Sequence, residues 1–423
     1  MTHSRPCRHA LPALLLSALL TIPLAGCGGG GGTPEAATTT QDATADAAAI
    51  RPPRTPQPAP VPVPTLAEVG SRLFDDSRLS ASGTLACASC HAEARGHADA
   101  AGTFLPLGGA DGSHQGLRSS PSVRYLDQAG AFRFDAQGRP RGGLFWDGRA
   151  STRAEQARGP LFNADEMANA DVAALATRLR ALPYAADLRA AASLPAAATD
   201  EQLVDAATTA LARFQADDAR FHPFTSKFDA VQDGRATFTA QEQRGLAAFN
   251  DPQRGNCASC HDSRPTAGVG RALFTNFSYH ALGVPRNRSQ ATANPAFFDL
   301  GLCGPQRSDL AGRTDFCGHF RTPTLRNVAL TAPYFHNASF ATLEDVVAFY
   351  ATRDIDPARW YPVVNGQVQL YNDLPATLRT NVQQGAPFRR AGQAPAITPQ
   401  DAADIVAFLR TLTDGFTASP PAQ

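Results

Sequence analysis

The 423-residue sequence predicts a mainly α-helical protein in two similar halves with long loops. Three observations predict this. Helix-start signals recur along the chain, while convincing alternating strands are scarce. The word Cys-Ala-Ser-Cys-His occurs twice, as Cys87–His91 and as Cys257–His261. Each copy stands in the same order of parts: a helix signal, the word, a Gly/Pro-rich loop, and further helix signals.

The helices follow from local pattern. Thr65 and Glu68 form a capping box ahead of Leu66, Val69 and Leu73. Val172, Leu175, Leu179 and Leu182 repeat at helical spacing. Thr199 and Gln202 open a helix carrying Leu203, Ala207, Leu211 and Phe214, and Thr239 and Glu242 open one just before the second CASCH. Thr398, Pro399 and Asp401 start a last helix with Ile405, Phe408, Leu409 and Leu412. The stretches 96–145 and 262–322 read as loops, long enough to expect function from them.

C-x-x-C-H is the attachment signal of c-type haem: two thiols bind the macrocycle covalently and the next histidine ligates the iron. A thioredoxin-like dithiol would not need the histidine, and a zinc site would need two more ligands close by. Two intact copies therefore predict two haem c groups, held by Cys87, Cys90 and His91 and by Cys257, Cys260 and His261. The haem domains are expected at 65–235 and 236–415, with a tail at 416–423.

Residues 1–26 read as an export signal, with Arg5 and Arg8 before the apolar run Leu11–Leu20, which is too short to span a membrane. Leu24-Ala25-Gly26-Cys27 resembles a bacterial lipobox, which implies cleavage before Cys27 and lipidation of its thiol. An ordinary secretory signal is the alternative. Gly28 after the cysteine favours, by the same resemblance, the outer membrane on its periplasmic side. Residues 27–64 are then a Gly/Ala/Pro-rich tether that cannot bury a core. Cys303 and Cys317 are left over, either disulfide-bonded in an oxidising compartment or free. With 38 basic and 38 acidic residues and no basic stripe, the chain is not expected to bind nucleic acid. The membrane is expected to be touched only through the lipid.

The second half contains no methionine; Met1 and Met167 are the only two in the chain. Its haem is therefore either five-coordinate or bound by something other than the usual thioether. Remaining candidates are His280, His319, His336 and the tyrosines. In Thr342–Tyr350, Leu343, Val346, Val347 and Tyr350 fall on one helical face, so Tyr350 points to the core. That is equally the pattern of a core tyrosine whose hydroxyl bonds a backbone carbonyl.

Three stretches, LFDDSRLSASGTLACASCH, FWDGRASTRAEQARGPLFNADEM and RTPTLRNVALTAPYFHNASFATLEDVVAFY, resemble the bacterial di-haem cytochrome c peroxidase family and, within it, the tyrosine-ligated MauG-type branch. The resemblance covers essentially 65–415 and implies two cytochrome c-like domains. It implies that the haem on His91 meets peroxide, under Gln156, Pro160 and Glu166, and that Trp146 lies between the haems. It places the sixth ligand of the second haem on Tyr350. A carboxylate such as Glu166 can carry a proton from one peroxide oxygen to the other.

Three departures stand out. No histidine occupies the place that blocks the first haem in ordinary peroxidases, though His97 and His114 lie nearby. The family's calcium position falls on Thr331 and Pro333 carbonyls and on Ser119, where a stronger amide ligand is usual. Gly255 replaces the MauG-type tryptophan before the second haem word. The expected function is reduction of hydrogen peroxide, with electrons from a small c-type cytochrome or cupredoxin. Alternatives are a peroxide-driven oxidase that modifies a protein substrate, and a non-catalytic electron carrier.

Overall fold

The computed structural model describes residues 63–99, 105–289 and 294–417. The expected export signal, Cys27 and nearly all of the expected tether fall outside the described residues, as does most of the expected tail. Val61–Gln423 forms one compact unit.

Helices dominate. They are α1 (Leu66–Phe74), α2 (Cys87–Cys90), α3 (Arg153–Phe162), α4 (Val172–Ala181), α5 (Ala185–Ala191), α6 (Asp200–Asp217), α7 (Lys227–Gln232), α8 (Ala240–Asn250), α9 (Leu343–Thr352) and α10 (Pro399–Arg410). The capping boxes at Thr65, Thr199, Thr239 and Thr398 are present, each side chain accepting from the third backbone N–H of its helix. Among the described residues the sheets are four antiparallel pairs of two-residue strands. The pair that matters for the site joins the strand Tyr279–His280 to the strand Phe320–Arg321 (labelled β6 as the sixth of the eight in chain order), with Tyr279 opposite Arg321.

Burial divides the helices into two main clusters. In the first, Val69 and Leu73 of α1 pack with Leu175 and Leu179 of α4 and with Val204, Leu211 and Phe214 of α6. In the second, Phe249 of α8 packs with Leu343 and Val347 of α9 and with Ile405, Phe408 and Leu409 of α10. Leu273 and Phe277, late in sequence, nonetheless pack into the first cluster. The Tyr125 hydroxyl reaches Asp414 at 2.7 Å, tying the early loop to the chain end. Cys303 and Cys317 are disulfide-bonded, with Cα atoms 5.0 Å apart.

The two clusters share one packing device. On α1, a Cβ at Gly70 would collide with the Ala210 carbonyl of α6. On α8, a Cβ at Gly245 would collide with the Asp404 carbonyl of α10. In each half the helix ahead of CASCH crosses a later helix where only glycine lets the backbones approach. Because the obstacle is backbone, Gly245→Ala is expected to cost about 1–3 kcal/mol. A denaturant midpoint equal to that of the unsubstituted protein would contradict this crossing.

Candidate functional site

Two cavities sit beside the two CASCH words. The first, about 150 Å³, is lined by Cys87, Cys90 and His91. The second, about 220 Å³, is lined by Cys257, Cys260 and His261. In both, the histidine is aimed by the backbone. His91 Nδ1 lies 3.1 Å from the His97 carbonyl, and His261 Nδ1 lies 3.0 Å from the Phe274 carbonyl. A carbonyl only accepts, so each Nδ1 carries the proton and donates, leaving Nε2 with its lone pair. Burial lowers both imidazole pKa values, that of His261 to about 4, which keeps the rings neutral. Two thiols and a neutral, oriented imidazole at one cavity wall are the donor set that haem c requires, twice over.

The first cavity also gathers Gln156, Pro160 and Glu166. Thr152 caps α3 through the Glu155 N–H, and the helix presents Gln156 and Pro160 one turn apart. Past its end the chain turns back, with the Glu166 N–H donating to the Asn163 carbonyl at 3.0 Å. Asn163 Nδ2 donates to Glu166 Oε1 at 2.7 Å. Burial raises the Glu166 pKa above the usual carboxylate range, opposed by the Arg149 charge and by the Asn163 bond. Asn163 and Arg149 had no assigned part in the sequence reading. Asn163 stands three residues before Glu166, a spacing that could have flagged it.

Neither histidine near the first word lines this cavity. The buried His97 ring stacks on Phe221 at 4.3 Å, and its Nδ1 accepts from Arg124 Nε at 2.8 Å. His114 is half-exposed and pairs with Asp165 at 3.2 Å.

Tyr350 lines the second cavity together with Leu343, Val346 and Val347, so the helical face read from sequence is the face α9 turns to the cavity. Of the seven tyrosines, six donate a hydrogen bond: Tyr125, Tyr184 and Tyr371 to carboxylates, and Tyr279, Tyr334 and Tyr361 to backbone carbonyls. The Tyr350 hydroxyl makes none among the described residues and stands at the wall of the second cavity. Burial pushes its phenol well above the usual range. The phenolate form thus needs a cation beside it, and a ferric iron held by His261 would supply one.

Two of the three histidine candidates have partners of their own. His336 Nε2 lies 3.1 Å from Asp373, and its ring stacks on Phe320 at 3.5 Å. His280 Nε2 lies 2.8 Å from Ser278 Oγ. His319 does not line the cavity.

Trp146 lines both cavities, as do Ser119 and Arg321. Its Nε1–H donates to the Ser119 carbonyl at 2.9 Å. The oxygens expected to hold calcium, on Ser119, Thr331 and Pro333, all belong to residues of the second cavity wall. The Ser119 hydroxyl, however, already donates to the Phe335 carbonyl at 2.7 Å. The Arg95 guanidinium donates to the Ala332 carbonyl, between the other two, at 2.7 Å. That donation leaves the lone pairs of the Ser119 hydroxyl available, while the Arg95 charge lies beside the two backbone carbonyls; calcium requires about six to eight oxygens. At Gly255, a Cβ would stand 2.5 Å from the Ala248 carbonyl, so this backbone leaves no room for a tryptophan.

Comparison with known proteins agrees with this geometry. Residues 64–237 match the family described as di-haem cytochrome c peroxidase. The methylamine utilization protein MauG of Paracoccus denitrificans is 40% identical over 294 residues, covering 67% of this chain and 74% of that protein. The cytochrome c551 peroxidase of Nitrosomonas europaea is 32% identical, covering 67% of this chain and 71% of that protein. The crystal structure of the diheme peroxidase BthA from Burkholderia thailandensis superposes with a TM-score of 0.76 at 42% identity, covering 84% of this chain and 87% of that one. Two covalent-attachment words facing two cavities, one wall in common and these likenesses lead to one conclusion: the chain belongs to the di-haem cytochrome c peroxidase family, oxidoreductases carrying two haem c groups.

Proposed function

We propose that this protein reduces hydrogen peroxide to water in the first cavity, with electrons entering by way of the second. The observation that carries the reading is Glu166: a carboxyl of raised pKa, oriented by Asn163, in the cavity of a neutral and aimed His91. Haem iron, when bound at His91, supplies the centre at which the peroxide O–O bond is polarised and two electrons are delivered. Glu166 accepts the proton of the nearer oxygen and returns it to the farther one, so that peroxide, two electrons and two protons leave as two waters. Gln156 and Pro160 shape the space around the incoming peroxide. Trp146 offers an indole in the wall common to both cavities, held in one orientation by the Ser119 carbonyl. The electron donor in this reading is a small c-type cytochrome or a cupredoxin. The working place is the periplasm, with Cys27 lipidated at the outer membrane.

A peroxide-driven oxidase acting on a protein partner is the second reading. Tyr350 favours it, since a phenolate ligand stabilises oxidised iron. Gly255 weighs against it, because the packing there excludes a large surface relay. Calcium enters neither reading as a participant.

Steady-state oxidation of a reduced small cytochrome by peroxide tests the main reading. Glu166→Gln is expected to lose about 10²–10⁴-fold in kcat/KM at unchanged haem content. Glu166 must be ionised to accept the proton, and its pKa lies above the ordinary 4.5. Activity should therefore rise with pH through a limb above that value. Asn163→Ala removes a bond that favours the ionised form and should move the limb higher still. Full activity in Glu166→Gln would exclude this proton path.

Tyr350→Met tests the second cavity. A thioether favours the reduced iron that a phenolate disfavours, so the midpoint potential of the second haem should rise. An unchanged potential and unchanged absorption would show that Tyr350 is not a ligand.

A further inference from the structure

Arg321 is the buried charge that the preceding account leaves unanswered. Five arginines are buried among the described residues: Arg124, Arg307, Arg321, Arg326 and Arg353. Four meet a carboxylate, namely Asp414, Asp309, Asp229 and Asp354 in the same order. Arg321, 4% exposed, forms no ion pair. Its Nε donates to the Phe145 carbonyl at 2.8 Å, while Nη1 is buried with no partner. The nearby acid, Asp147, is already held by Arg118 at 2.7 Å and Arg149 at 2.9 Å. The Phe277 ring, 5.9 Å away, lies at the outer edge of a cation–π contact and carries no countercharge. Burial accordingly disfavours the charged guanidinium and lowers its pKa. An unpaired buried cation is costly enough that folded proteins rarely keep one without an anion to receive.

Its position identifies the anion. Arg321 lines both cavities, and the groups that fill those cavities each carry two propionate carboxylates. We propose that Arg321 is an anchor shared by the two haem sites, its guanidinium receiving propionate at the wall between them. The same residue sets the wall itself. Its backbone N–H donates to the Trp146 carbonyl at 2.8 Å, and its Nε holds the carbonyl of Phe145, whose φ is +65°. One arginine thus fixes the backbone of the Phe145–Trp146 turn and places a positive charge in the wall of both cavities. The inference rests on the two haem groups of the family and on neither the donor nor the substrate.

The sign of its effect follows. A positive charge in a poorly screened site favours the iron form with one charge fewer, the reduced one. Spectroelectrochemical titration of the holoprotein reads this without turnover, with haem content fixed by a pyridine haemochrome assay. In Arg321→Met, at the ambient potential where the unsubstituted protein is half reduced, the reduced-to-oxidised ratio of at least one haem should fall about tenfold, about 59 mV for a one-electron couple. That ratio should also become pH-dependent as the unpaired propionate takes up a proton. Arg321→Lys, which keeps the charge, should hold the ratio within about twofold. Loss of a haem in Arg321→Met but not in Arg321→Lys would support the same anchor. Two outcomes overturn it: both variants titrating like the unsubstituted protein, or Arg321→Lys falling as far as Arg321→Met. The second would mean that the residue acts only by shaping the turn. Either failure leaves the peroxide reading standing, because neither concerns Glu166.

Discussion

Each CASCH imidazole is turned by hydrogen bonding from Nδ1 to backbone carbonyl, and the rest of the site takes its position from that contact. His97 and Phe274 supply the two carbonyls, and both residues are buried and packed against phenylalanines. The imidazole orientation is thus set by the hydrophobic clusters. Once Nδ1–H is committed, only Nε2 remains to face the cavity, and the cysteine pair fixes where the macrocycle must lie. The bond also explains why His97 is unsuited to block the first haem: it stands behind the proximal ligand and supports it.

The second organising feature is the wall between the cavities. The segment Ser119–Ser122, Trp146 and Arg321 border both. Arg118 stiffens it by bonding Asp147 and Asp299 at 2.6–2.8 Å, with all three side chains buried. Such a buried network strongly disfavours alternative arrangements, because breaking any one pair leaves an uncompensated charge. Rigidity of this kind keeps the Trp146 indole in one place in the wall common to both cavities. Within it the Ser119 hydroxyl donates to the Phe335 carbonyl, which ties the wall to the segment ahead of α9.

Features set by a few neighbouring residues were legible in the sequence. Capping boxes are local, and those at Thr65, Thr199, Thr239 and Thr398 appear where the pattern put them. The covalent words are contiguous and named the cofactor directly. The face of α9 was readable from its period, but whether Tyr350 was a bonded core tyrosine or a free hydroxyl was not. That distinction depends on what surrounds the hydroxyl, and only the contrast with six bonded tyrosines makes it. Helix α3 was not recognised, because Pro160 within it and its weak apolar periodicity mask a helix that exists by packing on α6. Arg321 was equally hidden: an arginine in a loop-rich stretch reads as solvated until β6 is seen to bury it between two cavities. The calcium position carried over by alignment alone, and the partner of the Ser119 hydroxyl lies too far along the chain for sequence to supply.

We propose, as the central claim, that the first haem is open, since neither His97 nor His114 lines its cavity, and that Tyr350 holds the second, so that peroxide needs no prior reduction of the protein. The most direct measurement adds one equivalent of hydrogen peroxide to the fully oxidised holoprotein and follows the visible, near-infrared and EPR spectra in a stopped-flow and freeze-quench series. The account expects a rapid spectral change in both haems, complete before any electron donor is added. No reaction until one haem is reduced would contradict it, and would instead mean that a ligand absent from the described cavity wall closes the first site at rest.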